Sequence, residues 1–538
     1  MLDWLSGKVP GGFPLLFFII VSTNLALFYL YKYSRLFSKS SYLQKLNKIN
    51  GAIISVYVIL WLLLRPPTPP KALLFLPFQV NDTVDFAYSE ALEEYIGCKD
   101  IHGYFIYPWN NFYKTADPDS IGIPLYRLRL VQKMEIETVL SGSIHENKLE
   151  LFIMQSGIKI SEDQSRLKSN SFMETAGLVL TILKSKLKIE NPNSLCESLI
   201  DDKQIRILSE AKQALAGESY PVHAPQAGEG IAAFDGLRAE IDLKKGIQEL
   251  KRKKKQNEGR SSSLLVAEDN PYFNELRQIL KPYQENNKET SEMNRILGEA
   301  YLYEQKYEYA EYFLKKALMQ NPCNARVYYL LSFLHSSRIE EMGYKSRIPL
   351  LELAVRYDPG FGEAVHDLAE EYYNSGTASP VHSATIKARD ILQKYLSFAG
   401  KDVEALGLLA KITLHSQRYE EAIALYNRMK QLGADKAEIA YNLGVVYFSM
   451  KDDEKAEAYF NQAIEINDYK DAYLYLGMIY KNKNDFDRAL YYFRERIKRK
   501  EGDDDQYARE AMLGVRIILD KIAEAEKEGK VNSRKNKS

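Results

Sequence analysis

Seven histidines (His102, His145, His223, His335, His366, His382 and His415) and three cysteines (Cys98, Cys196 and Cys323) are the residues of this 538-residue chain best suited to metal or nucleophilic chemistry. Their spacing supports neither. No two histidines form an HExxH pair, which would set two imidazoles one helical turn apart around a zinc ion. The cysteines are too few and too far apart for a disulfide framework or a four-ligand zinc site, and thiols so placed behave as small hydrophobes. No GxxxxGK[ST] loop cradles a phosphate, and no GxSxG turn presents a serine. Gly228-Glu229-Gly230 lacks the third glycine of a dinucleotide turn and a strand before it. Adjacent carboxylates such as Glu420-Glu421 read as solvated helix surface. The sequence thus predicts no catalytic residue, no metal site, no cofactor and no small-molecule substrate; the chain is expected not to be an enzyme.

Recurrence stands where chemistry is missing. A twelve-residue echo runs from Gly298 to Ala310, Ala410 to Ala422, Gly444 to Ala456 and Gly477 to Ala489, with a longer period of 34 residues between Ala410 and Gly444 and 33 between Gly444 and Gly477. Small residues at these offsets let two antiparallel helices approach closely, and a period near 34 is that of a stacked helical hairpin.

The residues at those offsets make residues 291–504 resemble tetratricopeptide repeats. Leu297-Gly298, Tyr301, Ala310, Ala317 and Pro322 fit the consensus, as do Leu443-Gly444, Tyr447, Ala456, Phe460 and Ala463, and Leu476-Gly477, Tyr480, Ala489 and Phe493. Units at 325–361 (Leu331, Ala354, Pro359, with a small insertion) and 362–401 (around a loop at Gly376–Pro380) depart further, and 403–436 is cleaner. A helix over 505–528 would cap the array, with a disordered tail at 529–538. The resemblance implies a ligand groove lined by the first helix of each unit. Its offsets fall on Arg295, Glu299, Leu302 and Tyr303; Tyr329 and Phe333; His366, Glu370 and Tyr373; Lys411, Leu414 and His415; Tyr441, Val445 and Phe448; and Leu474, Met478 and Lys481. Such a face suits an extended or helical peptide, with tyrosine supplying contact area at low entropic cost. The clamp for a chaperone's terminal carboxylates is missing, because position five is Arg295, Tyr329, His366, Gly407, Tyr441 and Leu474 in turn.

Upstream, residues 72–190 alternate strand and helix signals. Ala72–Phe78 is a short apolar run, Val84–Ile96 has a four-residue apolar repeat, and Ile101–Tyr107 is a second strand. Leu125–Met134 reads as a helix, Thr138–Ile144 and Leu149–Met154 as a hairpin around His145-Glu146-Asn147-Lys148, and Phe172–Leu187 as a closing helix. The order is β-α-β-α-β-β-α, a small α/β domain. Leu76-Pro77-Phe78 and Val139-Leu140-Ser141-Gly142-Ser143-Ile144 resemble strings of the TolB N-terminal-like/FlgO family of cell-envelope domains. That family offers no catalytic residue to carry over.

The remaining signals concern the membrane. Phe13–Tyr31 is a 19-residue run without a charge, and Ile49–Leu64 a second of 16 residues; both predict transmembrane helices within a two-helix anchor at 1–65. Residues 32–48 carry five Lys/Arg and no acid, which places that loop in the cytoplasm and the large C-terminal part in the periplasm or outside. Residues 66–71 are a proline-rich spacer. Residues 1–71 hold eight Lys/Arg against Asp3, a net +7; the rest holds 64 basic and 71 acidic residues, a net −7, which argues against nucleic-acid binding. Residues 191–290 read as a linker with a degenerate helical repeat, helices at 231–250 and 270–283 flanking the basic run Lys251–Lys255. That run is expected to be a solvated mobile loop, with attraction to anionic lipid or a wall polymer as its alternative. These readings combine into a multi-pass inner-membrane scaffold that holds protein or peptide partners in the cell envelope. A regulatory subunit with cytoplasm-facing repeats is the alternative.

Overall fold

In the computed structural model the described residues are 71–76, 78–80, 83–85, 92, 104–107, 124–146, 148–155, 158–167, 172–187, 232–257, 270–377, 382–502 and 504–535. Both expected membrane spans lie outside them. Among the described residues no helix is long and apolar enough to cross a membrane.

Seven strands make one sheet. β1 (Lys71–Phe75) runs parallel to β4 (Tyr104–Tyr107) on one side and to β5 (Thr138–His145) on the other. β2 (Phe78–Val80) continues along the same edge of β5 and pairs antiparallel with β3 (Thr83–Asp85). β6 (Lys148–Gln155) and β7 (Ile158–Arg166) extend the other edge as an antiparallel meander, turned at Glu146 in the left-handed conformation (φ 51°). Beside the sheet run two helices, α1 (Pro124–Lys133) and α2 (Phe172–Leu187).

Two parts of the sequence reading need correction here. The meander has a third strand, β7, that the β-α-β-α-β-β-α order omits; Ile158–Arg166 is too polar to read as a strand because it forms an edge, where Ser161 and Asp163 turn inward and Glu162 and Gln164 are exposed. Val84 and Asp85, expected to begin a helix, lie in β3, where they pair with Gln79 and Phe78.

Alternation along the strands gives the sheet two apolar faces. Leu73, Phe75, Leu140, Leu149, Leu151 and Ile153 pack against Ala176, Val179 and Leu183 of α2. Leu74, Val139, the α1 residues Leu130 and Val131, and Met134 just after that helix form the opposite core. Gly142 sits under the Phe78 ring: an added Cβ would stand 2.4 Å from it. The two strings that carry the envelope-domain resemblance therefore touch each other.

Beyond the sheet the chain is helical. α3 (Ala232–Asn257) and α4 (Pro271–Glu285) form a leading hairpin that shares its core with the next helix through Phe273, Leu276, Leu280, Met293 and Leu297. Then follow α5 (Ser291–Tyr303), α6 (Tyr307–Gln320), α7 (Ala325–Leu331), α8 (Ser336–Glu341), α9 (Ile348–Tyr357), α10 (Gly362–Thr377), α11 (His382–Leu396), α12 (Val403–His415), α13 (Tyr419–Gln431), α14 (Lys436–Ser449), α15 (Asp453–Asn467), α16 (Lys470–Asn482) and α17 (Phe486–Lys498). α18 (Gln506–Lys535) packs on the last pair and continues well past the 528 expected as its end. The short helix α8 is the insertion expected within 325–361. Residues 376 and 377 are the end of α10, not a loop. Lys251–Lys255 is likewise no loop: good helix formers carry α3 through it, and Arg252 pairs with Glu249 at 2.8 Å.

One local device repeats. Gly298, Gly444 and Gly477 each lie against the side chain sixteen residues later: Leu314, Phe460 and Phe493. A Cβ would stand 2.6, 2.6 and 2.5 Å from those groups, so only a bare backbone lets the helices meet. Gly246 meets Phe273 in the same way at 2.3 Å, across 27 residues instead of sixteen. The leading hairpin is thus a repeat with eleven extra residues between its contact points. Four of the first helices, α5, α12, α14 and α16, also end alike: Gln305, Gln417, Lys451 and Asn484 adopt positive φ near 60°, and the next amide donates back to the carbonyl of Tyr301, Thr413, Tyr447 or Tyr480 at 2.9 Å.

The sheet and the repeats share a core. Val365, Tyr395, Phe398 and Leu406 join the α1 face of the sheet in one buried cluster. Tyr107 donates its hydroxyl to Asp358 Oδ1 at 2.6 Å, Lys133 Nζ donates to the Ser397 carbonyl, and Lys394 pairs with Glu135 at 2.8 Å. Burial first, and then the Asp358 carboxylate, raises the Tyr107 pKa well above its usual value, so this hydroxyl remains a donor.

Candidate peptide-binding groove

The first helices of the pairs position the expected groove residues, and Asp and Thr caps fix where those helices start. Thr290, Asp402 and Asp435 accept from the amides of Met293, Ala405 and Glu438. Spacing of three and four along each helix then projects the expected groove side chains from one side.

At the N-terminal end, Arg295 and Glu299 are closed in, each only 2% exposed. Arg295 Nη1 donates to Glu299 at 2.5 Å, its Nε to Glu292 at 2.7 Å, and Nη2 to Glu240 of the leading hairpin. Arg326 adds a second guanidinium to Glu299 at 2.8 Å. Burial opposes ionisation of Glu299, yet Arg326 and Arg295 together hold its carboxyl below the usual range. Burial also disfavours the Arg295 charge, and Glu240, Glu292 and Glu299 outweigh it. These two residues therefore join helices to one another. Tyr303, 40% exposed, is the accessible member of this group.

The next stretch is aromatic. Tyr329 meets Phe333 edge-on at 4.9 Å and Phe361 at 4.8 Å, and the Arg347 guanidinium lies 5.4 Å from the Phe333 ring centre. Arg347 itself is held by Asp367 and Glu371. In the middle, Tyr373, Lys411 and His415 come together: the His415 ring meets Tyr373 edge-on at 5.7 Å and Lys411 Nζ lies 5.4 Å from the same ring. His366 is half-buried and Glu370 exposed on the same helix as Tyr373.

At the C-terminal end Tyr441 stacks on Tyr469 at 4.6 Å and meets Tyr475 at 69° and 5.9 Å; Phe448 meets Tyr475 at 5.3 Å. Met478 packs with the last pair and Lys481 is half-buried. A cavity of about 400 Å³ opens at the start of α18, lined by Lys470, Asp471, Arg496, Glu501, Asp505 and Tyr507.

Sequence reasoning missed Arg326, Phe361, Tyr469 and Tyr475. Tyr469 precedes its helix and Tyr475 stands about 100° round it from Leu474, so neither falls on the family's offsets. Among the described residues no group of three or more His, Cys, Asp or Glu is placed to hold a metal ion. Cys323 is free, and burial pushes its thiol up to about 11.

A tetratricopeptide-repeat family profile matches residues 401–468, within which lie Lys411, His415, Tyr441 and Phe448. No curated protein matches the chain. Solved structures similar to part of it include YrrB, described as a TPR protein with an unusual peptide-binding site, at 20% identity and a TM-score of 0.30 over 38% of this chain and 96% of that one. A MamA fragment from Desulfovibrio magneticus RS-1 is 17% identical, with a TM-score of 0.28 over 34% and 97% of the two chains. Pseudomonas aeruginosa pilF is 15% identical, with a TM-score of 0.32 over 41% and 96%.

Proposed function

We propose that this chain is a non-catalytic scaffold whose helical-repeat groove holds a protein or peptide partner. The observation that carries the reading is the row of accessible side chains on or just after successive first helices: Tyr303, Glu370, Lys411 and His415 on α5, α10 and α12, and Phe333 in the turn that follows α7, project from elements whose other faces are sealed in core. Rings and charges at these intervals match an extended or helical polypeptide, and the tyrosines give contact area without long flexible stems. The test is crosslinked pull-down from intact membranes of the protein and of a Phe333→Ala, His415→Ala variant. A specific partner should be lost from the variant; capture unchanged by these and further groove substitutions defeats the reading.

The same reading places the chain at the inner membrane as a multi-pass protein, with its large C-terminal part periplasmic or extracellular. Its support is the pair of apolar runs at 13–31 and 49–64 and the five basic residues between them. A reporter fused after Ser538 that is active only in the cytoplasm would reverse the orientation and favour the regulatory-subunit alternative.

A further inference from the structure

We propose that the C-terminal end of the groove is a subsite for a lysine or arginine side chain of the partner polypeptide. This rests on the peptide-binding reading above and narrows the partner to one presenting a basic residue there. Three observations meet at the site. First, Tyr441, Tyr469 and Tyr475 turn their rings to one another at angles from 24° to 69°, which presents π faces in more than one direction. Tyr441 is nearly enclosed, Tyr469 and Tyr475 are half-buried, and Tyr507 from the start of α18 is 39% exposed beside them.

Second, these rings lack what others in the molecule have. Arg277 covers Tyr301, Arg347 covers Phe333, Lys411 covers Tyr373 and Arg488 covers Tyr480, at 4.2–5.4 Å from the ring centres. Among the described residues no Lys or Arg lies over Tyr441, Tyr469, Tyr475 or Tyr507. The face of such a ring attracts a cation within about 6 Å.

Third, the surroundings are acidic. Burial, and then the carboxylates of Glu438, Asp471 and Asp435, push the Tyr469 hydroxyl up to about 12. Glu510 and Asp471 act in the same sense on Tyr475, again after burial. Asp471 is neutralised by Arg496 at 2.9 Å, and Asp435 is engaged as a helix cap. Glu438 and Glu510 have no ion pair among the described residues, so two carboxylates are left for an incoming charge. An acidic or C-terminal carboxylate ligand would be repelled here.

The test pans a random dodecapeptide display library against the full chain in detergent micelles. Peptides recovered by the protein should carry Lys or Arg at one fixed position. A synthetic consensus peptide should bind a Glu438→Gln, Tyr469→Leu variant about tenfold more weakly, and replacing its basic residue by norleucine should cost the wild type the same factor while leaving the variant's affinity unchanged. Both substituted side chains lie outside the fully buried core, and circular dichroism checks the fold; if Tyr469→Leu alters it, Tyr507→Leu replaces it. Recovered peptides without a basic preference, or a norleucine effect of equal size in both proteins, overturn this subsite and leave the groove intact. If no peptide is recovered at all, the groove reading itself falls and the subsite falls with it.

Discussion

The two ends of the repeat array use the same helix offsets to opposite ends. At the first repeat, Arg295 and Glu299 occupy positions where the tetratricopeptide resemblance puts the groove, and the leading hairpin folds over them so that Glu240 completes a closed set of charges. At the last repeats, Tyr441 occupies the position equivalent to Arg295, Tyr469 and Tyr475 lie beside it, and among the described residues no Lys or Arg lies over their rings. One end turns its expected groove positions into internal joints, and at the other the carboxylates of Glu438 and Glu510 have no ion pair among the described residues. A repeat offset therefore fixes where a side chain points, while the elements stacked next to it decide whether it is free.

Breaking the closed end should have the largest effect. Arg295→Met leaves Glu299 and Glu240 without their shared partner in a dry site, and loss of one member of a buried ion set costs about 3–5 kcal/mol. Urea unfolding of the variant should show this as an early loss of helicity. A cost under about 1 kcal/mol would mean that the network is solvated and the end is open after all.

Next in size is a test of helix apposition at the other end. Gly444→Ala drives a methyl into the Phe460 ring, itself held at 5.0 Å by Tyr475, and overpacking of this kind costs about 1–3 kcal/mol. Gly407→Ala meets only the flexible end of Met429 at 3.3 Å, so gained helix propensity offsets the contact and stability should change by less than about 1 kcal/mol. Equal melting shifts for the two variants would remove the distinction between a ring-sealed and a methionine-sealed pair.

The repeats were legible because their determinants are local. Gly444 and Phe460, or Gly477 and Phe493, announce each hairpin at a fixed separation, and the caps at Asp402 and Asp435 lie in the same short windows. The leading hairpin was half legible: its two helices were visible, but the equivalence of Gly246 and Phe273 was hidden by eleven extra residues. Three features could not be read. The polar composition of Ile158–Arg166 concealed an edge strand, and the charge of Lys251–Lys255 suggested a loop where the backbone continues as helix. The shared core of sheet and repeats depends on Tyr107 and Asp358, which are 251 residues apart and carry no local mark. At the expected groove positions, offsets indicate which residues share a helix face but give no information on cover, so buried Arg295 and exposed Tyr303 look alike.

Two further carboxylates sharpen the contrast between the ends. Asp242 in the leading hairpin is buried, its Oδ2 has no hydrogen-bond partner, and its pKa is raised to about 6 by burial and then by Glu275, against the lowering effects of Lys245 and Arg238. A folded-state pKa above the unfolded value of an aspartate means that the folded protein holds the proton more tightly, so stability falls as pH rises from about 4 to 6. Asp242→Asn should therefore be more stable than the wild type at pH 7 by roughly 2 kcal/mol, with the difference vanishing below about pH 4; a gain independent of pH would show that titration is not its source.

Glu438 should give the smallest stability effect. It is exposed and has no ion pair among the described residues, so Glu438→Gln removes a charge that water solvates equally well in the folded and unfolded chain, and its stability should stay within about 0.5 kcal/mol of the wild type. Glu299→Gln, at a groove position of the closed end, instead leaves Arg295 and Arg326 short of a buried acceptor and should cost several times more. If both changes proved equally costly in urea unfolding, Glu438 would be bound to the chain's own cations. The acidic end of the groove would then be as closed as the first.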